Sequence, residues 1–200
     1  MGNPPNALEI VQLTFRYPGA AEDTIRLDHL TLAPGEQALL TGASGSGKST
    51  LLQLISGLME PGSGVVRVAG EDMHALRGAK RDLFRGSHIG MIFQTFNLLQ
   101  GFSAAENVMM AMMFSDLPRR EHRGRAVDLL RTVGIETPDR EVTRLSVGQQ
   151  QRVAVARAAA VSPALVLADE PTASLDPEAG EAAMDLIQQT CRSIGAGGGC

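Results

Sequence analysis

The stretch that most constrains the fold is GASGSGKST, residues 42–50, which joins an apolar run to a helical pattern. Before it, QALLTG ends a short apolar run with a glycine, as a buried strand does where it enters a loop. After it, Leu51, Leu52 and Ile55 recur at the spacing of one helical face. The sequence therefore predicts a strand, a glycine-rich loop and a helix in direct succession.

This loop matches the pattern G-x-x-x-x-G-K-[ST], which needs a strand before it and a helix after it. Its glycines allow several backbone N–H groups to face one anion, and the helix start adds a favourable dipole end. In this pattern Lys48 neutralises the β- and γ-phosphates of a nucleotide, and the Ser49 hydroxyl binds Mg²⁺. The alternative is a plain glycine turn before a helix. The predicted phosphate-binding residues are Gly42, Ala43, Ser44, Gly45, Ser46, Gly47, Lys48, Ser49 and Thr50.

A second motif, ALVLADEP, places two acidic residues directly after an apolar strand pattern. Parallel sheets bind ligands at the carboxyl ends of their strands, so these carboxylates are expected at the same edge as the loop. Asp169 is then the predicted Mg²⁺ ligand, directly or through water. Glu170 is the predicted base that orients or deprotonates an attacking water. Alternatively, both acids cap the turn that follows them.

The rest of the pattern predicts an α/β fold. Several short strand-like runs lie within residues 1–94, a long helical block follows at 95–163, and an apolar strand and an amphipathic helix come last. This alternation favours a mainly parallel sheet covered by helices. We therefore expect a single domain with a P-loop NTPase core formed by 1–94 and 164–200. We also expect a small antiparallel β part on its N-terminal side, with the block 95–163 as an inserted helical lobe.

Composition narrows the choice of partners. The chain has 200 residues, a formal net charge of -4 and 44% hydrophobic residues, which fits one globular domain. Its mildly acidic total gives no general attraction to nucleic acid, so neither DNA nor RNA is an expected partner.

The two cysteines, Cys191 and Cys200, do not make a disulfide framework, which suits a reducing compartment such as the cytosol. The first residues do not resemble a signal peptide and the apolar runs are too short to cross a bilayer, so a membrane role would require a partner.

The stretch RLSVGQQQR, residues 144–152, has the character of a second anion site. Ser146 is a favourable N-cap residue, and Gly148 removes a side chain where another molecule could approach. The helix that follows directs unpaired N–H groups and a positive dipole end outward. Because one nucleotide already has its phosphates in the first loop, this second donor surface suggests a site that another copy of the chain completes. A helix cap without a ligand is the alternative.

Together with GASGSGKST, FQTFNLLQ, VLADEPT and SLD, the stretch LSVGQQQR resembles the motif set of the ATP-binding cassette (ABC) family, whose signature is usually L-S-G-G-Q. The resemblance covers essentially the whole chain and implies a head-to-tail homodimer that encloses two ATP molecules. In such a dimer, Ser146, Gly148 and Gln149 of one subunit face the γ-phosphate held by the other. Val147 departs from the usual glycine, and we expect it to tune this contact rather than abolish it.

Three further residues take roles from the same resemblance. Tyr17 in FRYPG matches the aromatic residue that stacks on adenine; alternatively, it packs against the sheet at a strand end. Gln94 matches the glutamine that reaches Mg²⁺ and the attacking water, and is otherwise an ordinary strand-end amide. Asp176 matches the residue that communicates between the two ATP sites, and it can also cap the helix that begins near Pro177.

The resemblance also implies a histidine that contacts the γ-phosphate after a further strand. All histidines of this chain precede Asp176, and the chain ends at Cys200 in the glycine-rich GAGGGC. That ending has no pattern of strand formers, so we expect it to form no strand. On this basis the C-terminal part of the domain is expected to be missing, and efficient hydrolysis by this chain alone is not expected.

The segment TFNLLQGFSAAENVMMAMMF, residues 95–114, is rich in large apolar side chains, methionine above all. Core packing explains most such methionines, because the flexible side chain fills irregular interiors. The alternative is an apolar groove that receives a short helix of a membrane partner. In ABC proteins this region faces the membrane subunits, and Phe96–Leu99 are the predicted contact residues.

Within the family, HIGMIFQTFNLLQGFSAAENVMM and GQQQRVAVARA most resemble the LolD/MacB-like branch of lipoprotein-releasing and macrolide-export systems. The resemblance implies a Mg²⁺-dependent ATPase, peripheral on the cytoplasmic face of the membrane, that powers a permease when its dimer closes. Two other classes share part of the pattern. ABC-type ATPases of soluble machines act on DNA or ribosomes but usually need a coiled-coil insertion or a second cassette, and P-loop kinases do not explain LSVGQQQR. The transported substrate is not encoded in this subunit.

Overall fold

The fold is an alternation of strands and helices, seen in a computed structural model that describes residues 4–43, 45–172, 177–194 and 197–199. In chain order the strands are β1 (Leu8–Phe15), β2 (Ile25–Leu32), β3 (Gln37–Ala38), β4 (Ser63–Val68), β5 (Glu71–Asp72), β6 (Ile89–Ile92), β7 (Leu165–Ala168) and β8 (Gly197–Gly199). The helices are α1 (Lys48–Ile55), α2 (Ala79–His88), α3 (Ala104–Met112), α4 (Arg119–Thr132), α5 (Val147–Ala159) and α6 (Pro177–Ile194).

Two four-stranded sheets divide these strands. The first has the order β2-β1-β4-β5 and is antiparallel, and the second has the order β3-β8-β7-β6 and is parallel. The expected α/β fold, with a parallel sheet and a smaller antiparallel part near the N-terminus, is therefore confirmed.

Strand β1 shows how the sequence sets a local irregularity. Leu8 and Ile10 are buried at alternate positions, and Leu13 is also buried although it breaks that alternation. The pairing with β4 shifts register between Val11 and Thr14, and Gln12 in this interval has a φ of 51°. A bulge at this point returns the next leucine to the inner face, so the antiparallel sheet keeps one continuous apolar side.

Strand β7 forms the wall between two hydrophobic clusters. All four of its residues are buried, as the continuous apolar run LVLA predicts. Leu165 and Leu167 face a cluster built from β1, β2, β4 and α1, whereas Val166 and Ala168 face a cluster built from α3 to α6. Burying one leucine side chain completely contributes about 1.5–3 kcal/mol, so this short strand is a strong structural anchor. The residue that follows it is thereby held at a fixed edge of the sheet.

The two ends of the parallel sheet differ from expectation. The predicted strand QALLTG pairs only at Gln37 and Ala38, and Leu39 beyond it is 70% exposed. Its partner is β8, which also pairs with β7 and so fills the space between them. The expectation that the glycine-rich ending forms no strand is therefore wrong. A ladder is made by backbone N–H and C=O groups, so two neighbouring strands can pair with a segment that lacks side chains.

Helices α3, α4 and α5 lie between β6 and β7 in sequence, which is where the inserted lobe is expected, although its boundaries at 95 and 163 stay a prediction. Of the methionines in this segment, Met112 is completely buried in the lobe, whereas Met113 is 54% exposed. Core packing and a surface role therefore apply to different members of the run. None of the helices in the described ranges has both the length and the apolar character needed to cross a bilayer.

Candidate functional site

The glycine loop is assembled by the chain's own contacts. Gly45 and Gly47 have φ values of 79° and 94°, which only glycine adopts without strain, and Gly47 caps α1 without a side-chain hydrogen bond. A Cβ on Gly47 would lie 2.8 Å from Ile25 Cδ1, so the neighbouring strand also demands glycine there. The first turn of α1 therefore has no side-chain cap, which leaves its N–H groups available to an anion.

Lys48 lies across this loop. Its ammonium Nζ donates hydrogen bonds to the carbonyl oxygens of Gly42 at 3.0 Å and Ala43 at 3.1 Å. The Nζ atom is also 4.0 Å from Oε1 of Glu170, and the lysine side chain is 22% exposed. The one strong positive charge of the loop is thus held between the loop backbone and the acidic motif, where a phosphate would meet it.

The acidic motif is far from the glycine loop in sequence but contacts it in the fold. Asp169 follows β7, and its N–H donates to the carbonyl oxygen of Ile92 at 2.9 Å, which continues the pairing of β7 with β6. The Ser49 hydroxyl donates to Oδ1 of Asp169 at 2.9 Å. Two oxygen donors of the type that Mg²⁺ prefers therefore lie side by side at the carboxyl end of the parallel sheet.

Glu170 is the exposed member of the acidic pair. Its φ of 46° is in the left-handed region, which is uncommon for a residue with a side chain, and its carboxylate is 46% exposed. A cavity of about 340 Å³ opens here and is lined by Lys48, Asp169, Glu170 and Pro171 among others. Strained backbone at a cavity that also holds a lysine is typical of a functional position. The alternative, that these acids only cap the next turn, does not explain the bond to Ser49.

Tyr17 lies next to the loop. Its hydroxyl and the hydroxyl of Thr50 are 2.9 Å apart and share a hydrogen bond, and Thr50 is itself buried in the first turn of α1. The ring of Tyr17 is 42% exposed and meets Phe15 edge-on, with the ring centroids 4.9 Å apart. Packing at the strand end and an open aromatic surface therefore coexist, and stacking on adenine stays a prediction.

Gln94 occupies an exposed turn that follows β6. Because β6 and β7 are parallel and Ile92 is opposite Ala168, Gln94 and Asp169 leave the sheet at the same edge. Within the described residues the Gln94 side chain has no hydrogen bond that would fix it elsewhere. The structure thus brings it to the correct edge, and its role at Mg²⁺ stays a prediction.

The stretch around Ser146 lies at the surface. Ser146 caps α5 with a capping box, in which Gln149 N–H donates to Ser146 Oγ at 3.3 Å and Ser146 N–H donates to Gln149 Oε1 at 3.0 Å. Ser146 and Gly148 are exposed, and Val147 is 51% exposed. A Cβ added to Gly148 would meet no atom within 4 Å. Within the part of the chain that the structure describes, no contact therefore requires a glycine there, and this surface is open to another molecule.

Two predicted site residues, Ser44 and Asp176, lie outside the described residues. The predicted contact segment Phe96–Leu99 differs from expectation, because the Phe96 side chain is only 7% exposed and Leu98 packs against the lobe core. Only Leu99, at 42% exposure, presents a large apolar surface in this segment. The sequence pattern indicates apolar character there but not the direction of each side chain.

A more open apolar surface lies nearby. A groove of about 510 Å³ runs between α2, β6, α3 and α5. Phe114 at its edge is 58% exposed, and Gly86 allows α2 to approach it, since a Cβ on Gly86 would lie 2.7 Å from Phe114 Cβ. The residues that line this surface, here called the α2–α3 groove, include Arg85, Gly86, Met91, Phe93, Ala111, Phe114 and Arg157.

Sequence reasoning missed two side chains of α5 that contact the site loops. Gln151 is buried, and its Nε2 donates to the carbonyl oxygen of Pro171 at 2.9 Å, directly after Glu170. Arg157 donates to the carbonyl oxygens of Phe96 and Asn97, both at 2.6 Å. The only signal for either was a polar side chain in a helix that is otherwise mostly valine and alanine, which favours burial with a specific partner.

Comparison with known proteins agrees with this geometry. The family model described as ABC transporter matches residues 26–173. The lipoprotein-releasing system ATP-binding protein LolD of Novosphingobium aromaticivorans is 39% identical over 98% of this chain and 88% of that protein. LolD of Geobacter metallireducens is 42% identical over 94% of this chain and 85% of that protein.

Solved structures give the same result. The ATP-binding cassette MJ0796, in a dimeric post-hydrolysis state bound to ADP and Pi, superimposes with a TM-score of 0.82 at 33% identity. The match covers 96% of this chain and 86% of that chain. With the phosphate loop, the paired acids and the exposed signature stretch in one fold, this chain belongs to the ATP-binding cassette (ABC) transporter family, as an ATP-hydrolysing subunit.

Proposed function

We propose that two copies of this chain bind two Mg-ATP molecules between them and that hydrolysis at these composite sites powers a membrane permease. The observation that carries the proposal is the contrast between the loop around Lys48, which is assembled within one chain, and the stretch around Ser146, which is exposed. Among the described residues, none lies within 4 Å of a Cβ added to Gly148. A triphosphate held in the first surface presents its γ-phosphate outward, where a second copy can bring the other surface.

Phosphate binding requires Lys48 to exchange partners. In the free chain its ammonium donates to two loop carbonyls. A β- or γ-phosphate oxygen is a stronger acceptor than a neutral carbonyl, so the ammonium moves to the phosphate while the loop N–H groups turn toward the same anion. The predicted ligands Gly42 to Thr50 then surround the phosphates, and the exposed face of Tyr17 remains available for the base.

Ser49 and Asp169 would hold Mg²⁺, with Gln94 as the third residue at the same sheet edge. The fit rests on their chemistry: a hydroxyl and a carboxylate already lie 2.9 Å apart, and both are hard oxygen donors. Bound there, Mg²⁺ supplies charge neutralisation for the phosphate oxygens. The Ser49 hydroxyl, which donates to Asp169 in the free chain, is positioned to turn a lone pair toward the same point.

Glu170 acts as the base for the attacking water. It borders the cavity beside Lys48, and its carboxylate is exposed enough to accept a proton from water. Proximity to Lys48 keeps the carboxylate aligned with the phosphate end of the site. Asp169, which is committed to Ser49, does not compete for this role.

The partner copy supplies the remaining contacts. Ser146, Gly148 and Gln149 face the γ-phosphate held by the other subunit, and Asp176 connects the two sites. Val147 adds an exposed apolar side chain beside the triphosphate, and we expect it to reduce the ease of close approach without preventing it. Dimer closure then follows from ATP binding, because each phosphate is held from both sides.

The permease contact is assigned to the α2–α3 groove, in place of Phe96–Leu99 alone. An apolar groove with an exposed aromatic edge suits the apolar face of a short helix.

The LolD relatives support a lipoprotein-releasing or efflux system as the setting, with the chain peripheral on the cytoplasmic face of the membrane. Co-purification with an integral membrane protein is expected, and recovery with DNA or ribosomes instead would contradict the transport role.

The substitution Glu170→Gln tests the composite-site mechanism. It removes the base but leaves Lys48, Ser49 and Asp169 in place, so the variant should bind ATP, lose turnover and accumulate as an ATP-bound dimer in size-exclusion chromatography. Glu136→Gln, at an exposed carboxylate that belongs to none of the motifs, is the matched control and should behave as the wild type. Unchanged turnover in Glu170→Gln would refute the assignment.

A further inference from the structure

Arg157 has an unusual set of partners for a partly buried cation. Its two terminal nitrogens donate to two consecutive backbone carbonyls, Nη2 to Phe96 and Nη1 to Asn97, both at 2.6 Å. Within the described part of the chain it forms no ion pair with a carboxylate. Burial lowers the pKa of the Arg157 guanidinium from its ordinary value, although arginine remains charged. The positive charge of Arg157 is therefore stabilised by two backbone carbonyl groups.

The two residues whose carbonyls it holds are in a strained conformation. Phe96 has a φ of 59° and Asn97 a φ of 47°, so two consecutive residues with side chains adopt the left-handed region. Such residues persist only where the surroundings fix them. The forked guanidinium matches two adjacent acceptors, and the buried Phe96 ring fixes the turn from the other side. Arg157 thus supplies the contacts that keep this turn in one shape.

The turn held in this way carries Gln94. Phe96 follows Gln94 by two residues, and Phe96 N–H donates to the carbonyl oxygen of Phe93 at 3.0 Å, which closes the turn around Gln94 itself. The path from the Arg157 guanidinium to the Gln94 backbone therefore passes through one hydrogen-bonded turn. A change in that turn must alter where the Gln94 side chain begins.

We propose that Arg157 is a positioning residue, whose two hydrogen bonds to the Phe96 and Asn97 carbonyls set the place of Gln94 at the nucleotide. This inference rests on the proposed function, because it assumes the role of Gln94 there. It adds a connection that the motifs do not give. Helix α5 is capped by Ser146, holds Pro171 through Gln151 and holds the Gln94 turn through Arg157, so one helix supports both loops of the site.

A double-mutant cycle tests this connection. Arg157→Gln should lower ATP turnover about 10- to 100-fold and raise the Mg²⁺ concentration needed for half-maximal turnover, with ATP affinity unchanged. Gln94→Ala should cause a loss of the same kind. If Arg157 acts through Gln94, then Arg157→Gln in the Gln94→Ala background should cause little further loss, because the side chain it positions is already absent. A purely structural role would instead give losses that multiply.

Arg125→Gln is the matched control. Arg125 also donates to a backbone carbonyl near the end of α5, that of Ala160 at 2.5 Å, but it does not contact the Gln94 turn. Its loss should leave turnover nearly unchanged and should combine independently with Gln94→Ala. Asn97→Gly gives a second check: glycine adopts the left-handed conformation without strain, so it should restore part of the turnover lost in Arg157→Gln.

The results that would overturn the inference are separate from those that would overturn the proposed function. Wild-type turnover in Arg157→Gln, or losses that multiply fully with Gln94→Ala, would refute the positioning role while the ATPase mechanism stands. If Arg157→Gln does not fold, Arg157→Lys takes its place in the double-mutant cycle. Lysine keeps the positive charge but lacks the forked guanidinium, so wild-type turnover in Arg157→Lys would also refute the positioning role. A wild-type chain that does not bind ATP in the presence of Mg²⁺ would refute the proposed function first.

Discussion

The loop around Lys48 and the start of α5 are both glycine-containing helix N-termini, yet they differ in how their surroundings are filled. At the loop, a Cβ on Gly47 would collide with a neighbouring strand, and Lys48 already has two acceptors. At the start of α5, a Cβ on Gly148 would meet nothing within 4 Å, and Val147 is exposed beside it. The first glycine is required by the fold of one chain, and the second is not.

This difference indicates that the loop around Lys48 is formed within one chain, whereas the start of α5 needs a partner. A glycine in the first turn of a helix costs stability relative to alanine, so a position without a steric need for it indicates an external partner. The cap of α5 is satisfied internally by Gln149, which leaves the remaining N–H groups of the first turn free for an anion. The contrast thus favours a second copy as the partner of this surface.

The largest effect is expected from removing the positive charge of the loop around Lys48. Lys48→Ala deletes the cation that the proposed function places at the β- and γ-phosphates, and the loss of charged hydrogen bonds should weaken ATP binding about 100-fold. Lys80→Ala, at an exposed lysine of α2, is the matched control and should bind ATP as the wild type does. Titration with a fluorescent ATP analogue measures both. Equal affinity in the two variants would show that the loop is not the phosphate site.

The two glycines give a direct stability test of the comparison. Gly47→Ala combines a φ of 94° with a contact of 2.8 Å to Ile25 Cδ1, so it should lower the free energy of unfolding by about 1–3 kcal/mol. Gly148→Ala should instead raise it by about 0.5–1 kcal/mol, because alanine favours the helix and meets no neighbour. Urea denaturation without nucleotide measures both values. A similar loss in both variants would mean that Gly148 has a role within its own subunit.

The features that the sequence predicts well depend on near neighbours. The loop around Lys48 follows from glycines and a helix pattern that are adjacent in the chain, and Ser146 followed by Gln149 is a complete capping box within four residues. Asp169 is located by the apolar run of β7, which needs no distant partner to be recognised as buried. Local chemistry therefore indicated most of the residues of the proposed nucleotide site.

The features that were missed depend on segments far apart in sequence. Strand β8 forms because β3 and β7 leave space for a third backbone, which a run of glycines does not reveal. Phe96 is buried, and Arg157 holds the turn that contains it, across about sixty residues of chain. Side-chain direction in an irregular turn is set by such contacts and not by residue type, so the sequence did not reveal that Phe96 is buried while Leu99 is exposed.

The smallest effect is expected at the two capping boxes, which differ in one residue. In the box at α3, Glu106 takes the place that Gln149 has at α5, and hydrogen bonds from the backbone and side chain of Ser103 lower the Glu106 pKa below its ordinary 4.5. This contribution to stability is complete above pH 4.5 and is lost as the pH falls through the lower pKa of the folded chain. Gln149 does not titrate, so the cap of α5 should be independent of pH.

The free energies of unfolding of the wild type and of Glu106→Gln should therefore become more similar as the pH is lowered below 4.5. Thermal unfolding across a pH series measures this difference. A difference that stays constant over the whole series would show that the carboxylate does not stabilise the cap.

Mixing two inactive variants tests the composite site most directly. Lys48→Ala destroys the phosphate loop, and Gly148→Glu places a negative charge against the γ-phosphate of the partner's ATP without a clash in its own subunit. A mixed dimer contains one site in which both halves are intact. We predict that neither variant alone turns over ATP and that their mixture regains part of the wild-type rate. No gain on mixing, or full activity of Gly148→Glu alone, would contradict a site shared between two copies.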